Sequence, residues 1–124
     1  MTESPTPSLL KLVNMPELLD RVDNDRELLR ELFELLRVEF PRLQIELKEA
    51  VSRNDMQRTA KAAHMIKGML ANLSMEGPAT ALDTLERMAI RGDQPGIESA
   101  LAVFGGEVVT LLPSLDAYLA EPGV

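Results

Sequence analysis

The sequence predicts an all-α fold, an antiparallel up-and-down four-helix bundle with an additional short N-terminal helix. Three observations carry that expectation. Leu dominates an apolar fraction of 45%, aromatics amount to 3%, and β-branched runs are absent, a balance that favours helices over strands. Apolar residues recur at three- and four-residue spacing through most of the chain, the period of one helical face. Connections between the later periodic segments are short, which favours antiparallel neighbours. No internal repeat and no strand signal breaks the pattern.

Residues 1–8, with Pro5 and Pro7, read as a flexible leader, and 9–120 as one helical domain. Leu9 to Val13 leads into a short helix over Pro16 to Val22, where Pro16 suits a first helical position. Asn24 followed by Glu27 resembles a capping box. Behind it runs a long amphipathic pattern from Leu28 and Leu29 through Phe33, Leu36, Phe40, Leu43 and Leu47 to Val51. Pro41 is expected to kink that helix or break it in two. Asn54, with Gln57 three residues on, is expected to cap a helix reaching about Leu73. Ser74 to Pro78 reads as a turn punctuated by Gly77-Pro78. A further helix spans Ala79 to Ile90 and stops before Gly92. Asp93 or Gln94 then caps a last helix, which Pro95 opens and which continues through Phe104, Leu111 and Leu115. Its weak points are Gly105-Gly106 and Pro113, where a bend is expected.

Composition narrows the function. The chain has no cysteine, which excludes disulfides, thiol chemistry and a thiolate metal site. Neither a signal-peptide core nor an apolar run of about 18 residues stands out, so the chain reads as soluble, and a cytoplasmic location is expected. A net charge of -7 argues against nucleic acid and anionic membranes, which need clustered cations. The acidic residues are spread along helical faces, as a solvated surface requires.

The most informative string is Ala63-His64-Met65-Ile66-Lys67-Gly68, which holds the chain's single histidine. Lys67 and Gly68 lie three and four residues beyond His64, so on a helix all three share one surface. On a helical wheel Ala62, Ile66, Met69 and Leu73 gather on the core side, flanked by Thr59, Ala63 and Leu70. His64 falls almost opposite, with Gln57, Ala60, Lys61, Lys67, Gly68 and Ala71. That speaks against a buried structural histidine; an idle surface residue stays open. Gly68 goes unexplained on the idle reading, because a mid-helix glycine costs about 0.8–1.0 kcal/mol relative to Ala. It is explained if something approaches the backbone closely, through an opening widened by Ala60 and Ala71.

A single imidazole with no carboxylate pair has too few ligands for a metal. Hydrolysis would need a nucleophile, a base and an oxyanion hole, and no such grouping shows. Phosphate uptake by the imidazole fits better. A free imidazole, with a pKa of about 6.5, is mostly neutral at neutral pH and a competent nucleophile. Lys67 would balance the incoming phosphoryl oxygens, and phosphoryl transfer demands mainly positioning and charge stabilisation.

In these residues the chain resembles a histidine-containing phosphotransfer (HPt) domain. Leu18-Leu19-Asp20-Arg21-Val22, Asp25-Arg26-Glu27-Leu28-Leu29 and the run to Pro41 are similar to the first half of that family. Asp55 to Asn72, Leu85-Glu86 and Arg91-Gly92-Asp93 are similar to the second, and the likeness spans about Leu9 to Leu119. The resemblance implies a carrier without intrinsic kinase activity in a two-component phosphorelay. His64 would accept a phosphoryl group on Nε2 from a receiver-domain aspartate and pass it to another receiver. Lys67 would pair with the phosphate and Gly68 would let the receiver loop close in. Glu86 matches a position that often binds the other ring nitrogen, which would hold the proton on Nδ1; a solvent-facing helix acid is the alternative. The chain itself needs no cofactor on this reading, with the catalytic aspartate and Mg²⁺ belonging to the partner receiver, and the single site works as a monomer.

The chain departs from the family pattern at Met69 and Leu70, where small residues are common, and at Ser74, where Gly is frequent. The first two fall on the core side, so they bear on packing. Candidates for an apolar docking patch are Leu12, Val13, Met15 and exposed Leu of the long helix, each of which could equally be core. Two rivals to the carrier stand. One is a receiver-binding module that takes no phosphate, and the other is the substrate domain of a chemotaxis-type histidine kinase.

Overall fold

In a computed structural model that describes residues 7–121, the apolar periodicity resolves into helices throughout, with no strand among the described residues. They are α1 (Pro7–Leu12), α2 (Met15–Arg21), α3 (Arg26–Ser52), α4 (Met56–Asn72), α5 (Glu76–Arg91), α6 (Gln94–Glu107) and α7 (Leu111–Ala120). Residues 1–6 of the expected leader lie outside the described part, and α1 begins at Pro7. Two short helices thus precede the long one.

The caps sit one residue later than the sequence suggests. Asp25, not Asn24, accepts the Leu28 N–H at 3.0 Å, and Asp55, not Asn54, accepts the Arg58 N–H at 3.0 Å. The asparagines do a different task. Asn24 (φ 59°) and Asn54 (φ 54°) take the left-handed backbone that turns the chain between helices, which Asn tolerates better than most residues. At α6 the expected Asp93 cap is present, accepting from Gly96 N–H at 3.0 Å, and Gly92 closes α5 with φ 72°.

Proline positions explain the other differences. Helix α3 runs through Pro41 without a break. The missing N–H would have served the carbonyl of Arg37, an exposed residue, while Phe40 and Leu43 on either side are buried in the core. Packing on both flanks thus outweighs a penalty of about 3 kcal/mol. Gly77-Pro78 is not a turn but the first turn of α5, where Pro forfeits no helical bond. The Gly105-Gly106 pair stays helical; the chain turns at 108–110, and Pro113 falls in the first turn of α7.

One continuous core results. Leu29, Phe33, Phe40 and Leu47 enter it from α3, Ile66 and Leu70 from α4, Leu82 and Leu85 from α5, Phe104 from α6, and Leu115 from α7. Each contributes about 1.5–3 kcal/mol by leaving water. Helix α4 packs most extensively on α5, then α5 on α6 and α3 on α4, while α7 leans on α3 and α1. Phe40 meets Phe104 edge-on at 6.2 Å, and Phe33 meets Tyr118 at 5.1 Å. The segment Gln94–Ala120 corrects the expectation that no stretch near 18 residues is apolar: it reaches a mean hydropathy of 1.4. Small and hydroxyl residues interrupt the run of large apolar ones. Its buried residues, including Ile97, Phe104, Leu111 and Leu115, belong to the core, and the turn at 108–110 divides it.

The N-terminal helices brace one end of α4. Arg21 donates to the carbonyls of Ala71 (3.0 Å) and Asn72 (3.2 Å), the last turn of α4, and Asn14 N–H donates to Ser74 O at 2.9 Å. A cation there satisfies orphan carbonyls and complements the negative end of the helix dipole.

Candidate functional site

Helix α4 presents two chemically different sides, as its sequence implies. Thr59, Ala62, Ala63, Ile66 and Leu70 are buried, and Met69 is half-buried against the core. His64 stands on the opposite side with its side chain 66% exposed. Gly68 is exposed too, and a Cβ built on it meets nothing within 4 Å. Internal packing therefore does not require a glycine there, and its gap opens outward.

The neighbouring helix supplies the rest. Glu86, on α5, accepts from His64 Nδ1, with Oε2 at 3.1 Å and Oε1 at 3.4 Å. An imidazole that donates from Nδ1 carries its lone pair on Nε2. Among the described residues no hydrogen-bond partner engages Nε2. Glu86 is the least exposed member of the group at 18%, so its carboxylate is held more firmly than the ring it orients.

Lys67 donates to Glu86 Oε1 at 2.8 Å and to Asp83 Oδ1 at 3.1 Å. Glu86 is thus shared between the imidazole and the ammonium, one oxygen to each at the shorter distances. The two carboxylates, Glu86 foremost and then Asp83, raise the Lys67 pKa above its ordinary value of 10.5. Asp83 is in turn paired with Arg87, Nε to Oδ2 at 3.3 Å. Sequence reasoning missed Asp83. The available signal is its spacing: three residues before Glu86, it lies one turn along the same face of α5.

Shallow depressions flank this row. Ala60, Lys61, His64, Met65 and Glu86 line one, and Lys67, Gly68, Ala71, Glu76, Ala79, Thr80 and Asp83 line the other. The small residues Ala60 and Ala71 border one depression each, as the wheel implies. A more apolar groove between α3 and α4 is lined by Leu32, Leu35, Leu36, Met69, Asn72 and Leu73. Of the docking candidates, Val13 is core, Leu12 and Met15 are half-buried, and Leu28 and Leu35 are exposed. Among the described residues no three of His, Cys, Asp and Glu gather closely enough to share a metal ion.

This arrangement can present a nucleophilic ring nitrogen to a partner, with a carboxylate behind the ring and a cation beside it. A model of the Hpt domain family matches residues 12–121 of the chain. No curated protein and no solved structure matches it.

Proposed function

The chain belongs to the Hpt domain family, and from that premise we propose that His64 is its phosphoacceptor, carrying a phosphoryl group between receiver domains. Domains of this family serve as histidine phosphotransfer carriers in phosphorelays, are not kinases, and interact with receivers. The observation that carries the residue assignment is the His64–Glu86 pair: a 3.1 Å contact at Nδ1 on a ring that is otherwise open to solvent.

In the forward step the Nε2 lone pair attacks phosphorus of a receiver aspartyl phosphate. The P–O bond to the aspartate breaks, and the carboxylate leaves with its electron pair. The ring keeps its Nδ1 proton and gains positive charge, which Glu86 faces; this is the role of the carboxylate in a catalytic triad. Transfer onward is the reverse step on a second receiver. Lys67 offers its charge to the phosphoryl oxygens, and Gly68 leaves room for the receiver loop. Mg²⁺, which neutralises phosphoryl charge, belongs to the receiver in this reading. The scaffold is read as an up-and-down arrangement of α3 to α6, supported by packing between consecutive helices and by connections as short as 92–93. A cytoplasmic monomer satisfies everything the site needs.

Incubation with a phosphorylated receiver tests this directly. Wild type is expected to acquire an acid-labile, alkali-stable label and His64→Gln none. Receiver binding without label in wild type would instead identify a phosphorylation-independent binding module.

A further inference from the structure

Lys67 does not stand free beside His64. An ammonium has three N–H donors, and two of them are committed, one to Glu86 at 2.8 Å and one to Asp83 at 3.1 Å. The row from Lys67 to Arg87 is also electrically closed: two cations face two carboxylates, with Arg87 Nε 3.3 Å from the second oxygen of Asp83. A phosphoryl group arriving at His64 brings negative charge to a site whose cation is already matched. Glu86 cannot be relieved of Lys67 without disturbing the ring it orients. Asp83 forms ion pairs only with Lys67 and Arg87 among the described residues, so its pull on the ammonium is separable from the imidazole.

We propose that Asp83 is a positioning residue that restrains the Lys67 ammonium and thereby slows phosphoryl uptake by His64. The proposal rests on His64 being the phosphoacceptor. Replacing the carboxylate by an amide weakens the hold on one Lys67 donor and takes one negative charge from the row that Lys67 shares with Glu86. Both changes act in the same direction. Loss of Arg87 acts in the other, because Asp83 then bears on Lys67 alone.

Phosphoramidate is a suitable donor because it needs no partner protein. The Nε2 lone pair attacks its phosphorus, the P–N bond to the protonated amine breaks, and ammonia leaves with the electron pair. Uptake on the full chain is followed by phosphorus NMR. Asp83→Asn is expected to accelerate it about threefold to tenfold, the usual scale of coupling within one salt-bridge network, with Asp83→Glu returning most of the difference and Arg87→Gln slowing uptake. In a Lys67→Gln background the Asp83→Asn effect should fall below about twofold. A purely structural Asp83 would give slower uptake in Asp83→Asn, which overturns the proposal. So would unchanged uptake, or equal acceleration with Lys67 absent. A wild type that takes up no phosphoryl group overturns the carrier reading and the Asp83 role together, whereas a labelled wild type indifferent to Asp83 overturns the second alone.

Discussion

On one side of α4, Arg58 binds Glu46 at 2.7 Å and Glu49 at 3.6 Å and so ties α4 to α3; on the other, Lys67 binds Glu86 and Asp83 and ties α4 to α5. The two clusters are alike in make-up, each a cation between two acids, and both cations are held more firmly protonated by their carboxylates. They differ in what lies beside them. Arg58 is joined to another guanidinium, Arg53, through Glu49 at 3.9 Å, and guanidinium groups offer no lone pair. Glu86 reaches past Lys67 to an imidazole. The second cluster thus adds what the first lacks, an acid that also holds a group able to lend electrons.

That contrast can be broken by mutation. Glu86→Ala should have the largest effect, slowing phosphoryl uptake from phosphoramidate by about tenfold to a hundredfold, the scale seen when an orienting partner is lost; an unchanged rate would reduce Glu86 to a staple like Glu46. Gly68→Gln should cut receiver-dependent transfer by about tenfold, or roughly 1.4 kcal/mol. The same variant should leave phosphoramidate uptake intact and raise stability by somewhat under about 1 kcal/mol. Failure of both readouts to separate would mean that no partner closes on Gly68.

Smaller effects sharpen the structural side. Ser74 is buried with φ 59° and its hydroxyl finds no partner. Ser74→Gly should therefore stabilise by about 1 kcal/mol in denaturant unfolding, the relief of left-handed strain outweighing the entropy that glycine adds to the unfolded chain. The Lys67 pairing should also leave a trace in alkali. Because its pKa is raised on folding, its contribution is complete below 10.5 and is lost as pH rises through the folded value. The stability gap between wild type and Lys67→Gln should then narrow above pH 10.5. Smallest of all, Arg58→Gln should leave the unfolding midpoint and phosphoryl uptake where they are, as exposed ion pairs commonly do.

Much of this was legible in the sequence because it is local. His64, Lys67 and Gly68 share a face by spacing alone, and Ile66 and Leu73 fall on the core side by the same arithmetic. Glu86 could be singled out only through the family resemblance, and Asp83 only through its spacing from Glu86 once that residue is in view, since both meet Lys67 across an interhelical register that no local period encodes. The same limit explains the caps. Asn24 and Asn54 have the chemistry of N-caps, but the left-handed turns that join these helices place the cap at Asp25 and Asp55. The absence of a break at Pro41 has a related reason: its local penalty is visible in sequence, whereas the packing of Phe40 and Leu43 that offsets it is not.

The exposure of a single imidazole on one side of one helix has a kinetic consequence. In the proposed carrier role, donor and acceptor receivers need the same ring and the same gap at Gly68, so each must leave before the other arrives. Transfer should follow a ping-pong scheme, with parallel double-reciprocal lines when the concentrations of both receivers are varied. An unphosphorylated donor in excess should then act as a competitive inhibitor of delivery to the acceptor.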